Sequence, residues 1–332
     1  MAQSNRQILI DQLPQGKLAP EHFRLRETAA PSPADGEVLL RTRYISLDAA
    51  NRAWMQGATY RSALTAGQVM AGGALAEVVE SRVKEFAPGD LVFADTGWQD
   101  YAVLPARQLM KLGRTEPLTH LLSVYGVAGL TAYFGLLECG KPQPGETVVV
   151  SAAAGAVGEI VGQIAKIKGC RAVGIAGGAA KYKWLTSELG FDAAVDYKTG
   201  DTLKALRAAC PEGIDVYFDN VGGDVLEACL FNMKLRGRIV CCGAVSQYDG
   251  AAPHGPRGVP GLIVTKRLTM RGFLVSDFYP QREQALVELN GWMQSGKLKV
   301  HEDIIDGLQN LPAALIGLLA GQNVGKRMVK VV

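Results

Sequence analysis

A chain that contains ETVVVSAAAGAVGEIVGQIAKIKGCRAVGIAGG, residues 146–178, has few folds open to it. An apolar run enters a turn of small residues, an amphipathic run follows, and a second apolar run comes next. In the amphipathic run Val157, Ile160, Val161, Ile164 and Ala165 fall on one helical face, with the stem of Lys168 at its edge. The alternation continues. DAAVDY, IDVYFDNVGG, GRIVCCG and LTMRGFLVS read as strands, and AKYKWLTSELG, DTLKALRAAC, DVLEACLFNMK and QREQALVELNGWMQSG as helices. Strands alternating with helices predict an α/β fold with a doubly wound parallel sheet.

The chain before this region has a different rhythm. GEVLLRTRYISLD, GGALAEVVES, GDLVFAD and DYAVLPARQLMKL are short β-type runs broken by Gly, Pro and Asp, and suggest a small barrel or sandwich. The tail returns to mixed signals: LKVHEDIID as a strand, LPAALIGLLAG as a helix and KRMVKVV as a closing strand. GAAPHGPRGVPG, residues 250–261, reads as a long loop, either the lid of a site or a plain surface crossover.

Composition excludes several classes. With 48% hydrophobic and 20% charged residues among 332, the chain reads as a soluble globular protein with length for about two domains. The net charge of +3 is spread without a run of like charges, which argues against a nucleic-acid partner. Six scattered cysteines, no pair spaced C-x-x-C, read as reduced thiols of a cytoplasmic protein. The four histidines are isolated, so no metal site is expected. The stretch 117–137 is long enough to span a bilayer, but its glycines, hydroxyls and histidine favour a buried element, and no membrane association is expected.

The glycine turn carries the chemistry. Ala153-x-Gly155-x-x-Gly158, after a strand and before a helix, is the setting in which a pyrophosphate sits on the free N–H groups of a helix start. For NAD the second strand should end in an acid that accepts the ribose 2′-hydroxyl; here it ends Ile175-Ala176-Gly177-Gly178. Lys181 follows within a helical turn, where a 2′-phosphate would find a cation. The expected cofactor is therefore NADP(H).

These motifs together resemble the zinc-independent medium-chain dehydrogenases/reductases, in the group of prostaglandin reductases, 2-alkenal (double-bond) reductases and curcumin reductases. The resemblance rests on ISLD (45–48), GWQDY (97–101), GLTAYFGL (129–136), AAAGAVG (152–158), KGC (168–170), GFD (190–192), DYK (196–198), DNVGG (219–223), CGAVSQY (242–248) and GQNVGK (321–326), in order along essentially the whole chain. It implies a GroES-like β-barrel catalytic domain from residues 1–120 with 300–332, and a Rossmann NADP-binding domain at 121–299. Zinc-dependent relatives carry Gly-His-Glu where this chain has Gly67-Gln68-Val69.

Site residues carry over where they match. The resemblance puts Lys181 and Tyr197 at the 2′-phosphate and Asn220 and Asn323 along the cofactor. Thr131 falls near the nicotinamide, and Ala153, Gly155, Val157, Gly158 and Gly178 in the turns that hold the dinucleotide. The thiols of Cys241 and Cys242 read as packing, their backbone is expected to face the nicotinamide, and Cys242 and Gly243 are cofactor-binding candidates. Tyr248 is the candidate catalytic residue, contacting substrate or nicotinamide ribose. Departures cluster by the expected substrate pocket: SLDAANRAWM stands where the family has SLDPYMRGRM, and GVAG where it has GMPG. Asn51, Trp54, Tyr60 and Tyr125 are the further substrate candidates there. The implied activity is NADPH-dependent C=C reduction of an α,β-unsaturated ketone or aldehyde by a homodimer. A quinone reductase on the same scaffold is the alternative, and a nucleotide-binding protein without turnover is less favoured.

Overall fold

Short apolar alternations, stopped by Gly, Pro and Asp, fold as antiparallel strands as far as Leu112. β1 (Ser4–Ile10) and β2 (Phe23–Ala29) form a two-stranded ribbon. β3 (Glu37–Ser46), β4 (Gly73–Ser81), β5 (Leu91–Asp95), β6 (Tyr101–Pro105) and β7 (Met110–Leu112) belong to a larger sheet, with the short α1 (Ala50–Ala53) after β3. DYAVLPARQLMKL, read as one run, is in fact two strands. Pro105 has no N–H to continue a ladder, and a 3-10 turn at Ala106–Gln108 separates β6, paired with β3, from β7, paired with β5.

After α2 (Val127–Phe134) come β8 (Thr147–Ser151), α3 (Gly158–Ile167), β9 (Arg171–Ala176), α4 (Ala179–Ser187) and β10 (Ala193–Asp196). Then follow α5 (Thr202–Ala209), β11 (Ile214–Asp219), α6 (Gly223–Asn232), β12 (Met233–Cys241), α7 (Val259–Lys266), β13 (Thr269–Gly272) and α8 (Arg282–Gln294). β14 (Glu302–Asp306), α9 (Leu311–Leu319) and β15 (Lys326–Lys330) return to the first sheet, whose order is β14-β15-β3-β4-β5-β7.

The structure, a computed structural model, describes residues 3–249 and 255–332. The chain divides into one unit of Met1–Leu122, Glu302–Gln322 and Arg327–Val332, and a second of Ser123–His301 and Asn323–Lys326. Among the described residues no helix is long and apolar enough to cross a membrane.

The second unit is the doubly wound sheet expected from the sequence. Its order is β10-β9-β8-β11-β12-β13, and every neighbouring pair is parallel. The three consecutive valines of β8 show why a buried strand must be apolar on both sides. Val148 and Val150 join the core that includes Ile160 and Ile164 of α3 and Leu289 of α8. Val149 joins the opposite one, with Leu206 of α5 and Leu230 of α6.

Residues 250–261, read as a loop, need correction. The first five lie outside the described residues, and from Val259 the chain is helical. Pro260 sits at the start of α7, where a missing N–H costs nothing, and Leu262 and Ile263 pack onto the core. The expected strand LTMRGFLVS is also shorter. Only Thr269–Gly272 pair with β12, at the sheet edge, and all four are exposed.

In the first unit Trp98 is fully buried and stacks on Phe23 with centroids 5.4 Å apart, yet its Nε1 has no hydrogen-bond partner among the described residues. Its ring volume therefore stabilises the unit while its N–H costs it. Trp98→Ala is expected to lose about 3–5 kcal/mol. Trp98→Phe, which deletes the orphan donor and keeps most of the apolar volume, is expected to lose about 1 kcal/mol or less. Urea unfolding of the two variants checks this; equal losses would contradict it.

Candidate functional site

In the parallel sheet β8 lies between β9 and β11. The chain winds outward from β8 through β9 on one side and later resumes at β11 on the other, so the C-terminal ends of β8 and β11 flank a crevice. Side chains fix its floor. Ser151 at the end of β8 accepts the N–H of Asn220 through Oγ at 2.9 Å, and its carbonyl accepts Asn220 Nδ2 at 2.8 Å. Asp219, 2% exposed, gathers four donors on Oδ1: Tyr217 Oη at 2.7 Å, Gly222 N at 2.8 Å, Val221 N at 3.0 Å and Ser151 Oγ at 3.3 Å. Burial pushes the Asp219 carboxyl above its ordinary value, and these donors pull it part of the way back. Sequence reasoning missed Asp219. An acid followed by Asn-Val-Gly-Gly looks like a turn, and its partner Ser151 is 68 residues away.

The glycine turn lies at the same edge. Ala153 is buried, with its N–H bonded to Ile175 O, and the N–H of Gly155 returns to Ala152 O. Gly158 opens α3, where a Cβ would strike the carbonyl of Ala152. Val157 is the N-cap, and the N–H groups of Ala156 and Val157 make no hydrogen bond among the described residues. Two uncommitted donors at a helix start fit the pyrophosphate of a dinucleotide. The segment that holds Asn323 lies alongside: Gly325 donates to Ala154 O at 2.8 Å and pairs with Gly155 as an isolated bridge, and Asn323 Nδ2 donates to Gly325 O.

At the end of β9 the chain turns at Gly178, whose φ of +99° only glycine adopts without strain. Lys181 is in the first turn of α4, and Tyr197, 44% exposed, follows β10. The sequence reading found no acid at the end of β9, but the neighbouring strand brings one close. Asp196 Oδ1 accepts the N–H of Gly178 at 3.0 Å.

On the other side of the crevice the N–H groups of Cys242 and Gly243 both bond to Asp219 O. The contacts these residues offer a dinucleotide are therefore through carbonyl and carbon atoms and, at Cys242, the thiol. Burial pushes the thiols up, Cys241 to about 11 and Cys242 to about 12, so both stay protonated at neutral pH. Tyr248 ends a short 3-10 turn, and its hydroxyl oxygen accepts the N–H of Ala244 at 3.2 Å. Thr131 is buried within α2. Tyr125 donates to Asn290 Oδ1 of α8 at 3.0 Å, and burial raises its pKa.

The remaining candidates are in the first unit. Asn51 is buried, accepting Asp48 N–H and donating to Ala71 O, so both ends of its amide serve local structure. Trp54 donates from Nε1 to Tyr60 Oη at 3.1 Å, and the Arg61 guanidinium lies 4.4 Å from the Trp54 ring centre. Tyr60 is 61% exposed. Gln68 Oε1 accepts the N–H of Thr65 and closes a turn at the place of the Gly-His-Glu motif. Among the described residues no three His, Cys, Asp or Glu side chains group so as to hold a metal ion.

Comparison with known proteins gives two family matches: an N-terminal domain of oxidoreductase over residues 6–112 and a zinc-binding dehydrogenase over residues 156–291. The chain is 43% identical to the NADPH-dependent curcumin reductase of Escherichia coli (strain K12), with 99% of this chain and 97% of that one covered. It is 44% identical to prostaglandin reductase 1 of Bos taurus, with 93% of each chain covered. Among solved structures it is similar to CurA from Vibrio vulnificus in complex with NADPH, at TM-score 0.94 and 40% identity over 98% of this chain and 99% of that one.

The Asp219 network makes a stability prediction. Asp219→Ala strands four donors and is expected to cost about 3 kcal/mol or more, whereas Asp219→Asn keeps an acceptor at Oδ1 and should cost about 1 kcal/mol. Because folding raises the Asp219 pKa, the wild type loses stability as pH rises from the usual carboxylate value through the raised one, and Asp219→Asn lacks that loss. Thermal unfolding across the acid range measures both; identical pH slopes in wild type and Asp219→Asn would contradict the account.

Proposed function

The chain belongs to the medium-chain dehydrogenase/reductase family, in the group of prostaglandin, 2-alkenal and curcumin reductases, and we propose that it is an NADPH-dependent reductase of C=C bonds conjugated to a ketone or aldehyde carbonyl. The observation that carries this reading is the pair of uncommitted N–H groups on Ala156 and Val157 at the sheet's switch point, in a chain similar over nearly its whole length to an NADPH-dependent curcumin reductase. NADPH, when bound, supplies the hydride that adds to the substrate's β-carbon.

The protein's own groups bind, orient and manage charge. Ala156 and Val157 N–H, with the start of α3, hold the pyrophosphate, and Gly155 and Gly158 leave it room beside Ala153. Lys181 and Tyr197 hold the 2′-phosphate next to Gly178. Asn220, Asn323, Thr131, Cys242 and Gly243 line the rest of the cofactor. As the substrate's carbonyl oxygen gains charge, the Tyr248 hydroxyl donates to it or relays the proton that the α-carbon finally takes. The Cys242 and Gly243 N–H groups both bond to Asp219 O, which argues against these backbone donors. Trp54 and Tyr60 contact substrate; Asn51 and Tyr125, whose polar atoms are bonded within the protein, act by shaping its surroundings. The reading is metal-free, since Gln68 stands at the place of the family's zinc-associated histidine. We further propose a cytoplasmic homodimer paired through the exposed edge strand β13.

Following reduced-nicotinamide absorbance with an alkenal, an aryl enone and a quinone tests this. Rapid loss with the alkenal or enone, faster with NADPH than with NADH, is expected; turnover of the quinone alone would contradict the assignment. Tyr248→Phe should lower kcat by about a hundredfold while NADPH binds as before. Unchanged kcat would remove Tyr248 from the chemistry.

A further inference from the structure

Gly177 and Gly178 follow β9 at the place where the adenosine ribose arrives in this fold. They are adjacent and differently surrounded. A Cβ on Gly178 would meet nothing within 4 Å, whereas a Cβ on Gly177 would lie 2.7 Å from Lys198 Cε, 3.0 Å from its Cδ and 3.0 Å from Tyr197 Cε1. The Lys198 stem therefore lies across Gly177 beside the Tyr197 ring, and its ammonium sits one bond beyond that contact. Lys198 is exposed, yet its ammonium makes no ion pair or hydrogen bond among the described residues. One oxygen fixes this arrangement: Asp196 Oδ1 accepts both Gly178 N and Lys198 N, each at 3.0 Å. The carboxylate thus clamps the turn after β9 to the turn after β10 and sets the start of the Lys198 stem.

We infer that Lys198 is a second cationic ligand for the cofactor's 2′-phosphate, beside Lys181, and that Asp196 is the positioning residue that holds it there. This rests on the NADPH reading given above and deepens it. A phosphate dianion gains from two cations, and a lysine laid over a glycine loses less freedom on binding than one that must be ordered from solvent. Gly177 is part of the device, since any side chain there would displace the Lys198 stem. Asp196 is an acid bonded directly to this turn. Two backbone donors on Oδ1 cast it as a clamp, and the NADH titrations below test it as a hydroxyl-binding acid.

Dissociation constants for NADPH and NADH, from titrations of cofactor fluorescence, test this without turnover. In Lys198→Met the NADPH constant should rise about tenfold while the NADH constant stays within about twofold, and Lys198→Arg should restore NADPH binding. Asp196→Ala should mimic Lys198→Met, and Asp196→Asn, which keeps the Oδ1 acceptor, should bind both cofactors as the wild type does. If the wild type binds NADPH and NADH equally, the cofactor reading falls and this inference with it. If the wild type discriminates and Lys198→Met discriminates as well, the role of Lys198 alone is overturned. Selective loss of NADH binding in Asp196→Asn would make Asp196 a ribose ligand and overturn its positioning role.

Discussion

The mouth of the parallel sheet hangs on one carboxylate oxygen. Asp219 Oδ1 joins the end of β8, through Ser151, to the turn after β11, through Val221 and Gly222, and takes the Tyr217 hydroxyl from below. The carbonyl of the same residue holds Cys242 and Gly243, and the next two carbonyls hold Val245 and Ser246. Tyr248 is carried on that second turn. One buried acid therefore sets the spacing between the strands that flank the crevice and the loop that bears the candidate proton donor. Such a network is costly unless every member is satisfied, since an unpaired donor at this depth forfeits its hydration.

The same economy recurs at the adenosine end. Asp196 does with two turns what Asp219 does with two strands: one Oδ1 takes two backbone N–H groups. In both cases the acid serves the backbone, and the ligand-facing groups are the ones its clamp leaves in place. The pyrophosphate end works by the opposite device. There, among the described residues, the N–H groups of Ala156 and Val157 have no partner, and small residues leave room for the group that would satisfy them.

Much of the second unit was legible in the sequence, because a sheet buried on both faces demands continuous apolar runs and its crossover helices demand a 3.6-residue period. Val148 to Val150 and the Val157–Ala165 face carry both signals. Segment α7 was hidden because Gly and Pro dominate its surroundings, although Pro260 stands where a helix accepts it. The glycine turn and Lys181 stand out as candidates because their signals are local in sequence. The contacts of Asp219 with Ser151, of Asp196 with Gly178 and of Lys198 with Gly177 do not, since strand pairing brings those residues together. The hydrogen bonds of Asn51 to Ala71 and of Tyr125 to Asn290 were likewise outside the reach of local signals. A polar residue at a suggestive place can have its atoms bonded within the protein, to Asp48 and Ala71 in one case and Asn290 in the other.

The central claim is that reducing equivalents go to the β-carbon of a conjugated carbonyl compound. The most direct test supplies NADPH deuterated at its transferable position, with an aryl enone, and locates the label in the product by NMR. Deuterium on the β-carbon of a saturated ketone is the predicted result. Deuterium on the carbonyl carbon of an allylic alcohol, or a product without label, would contradict the account.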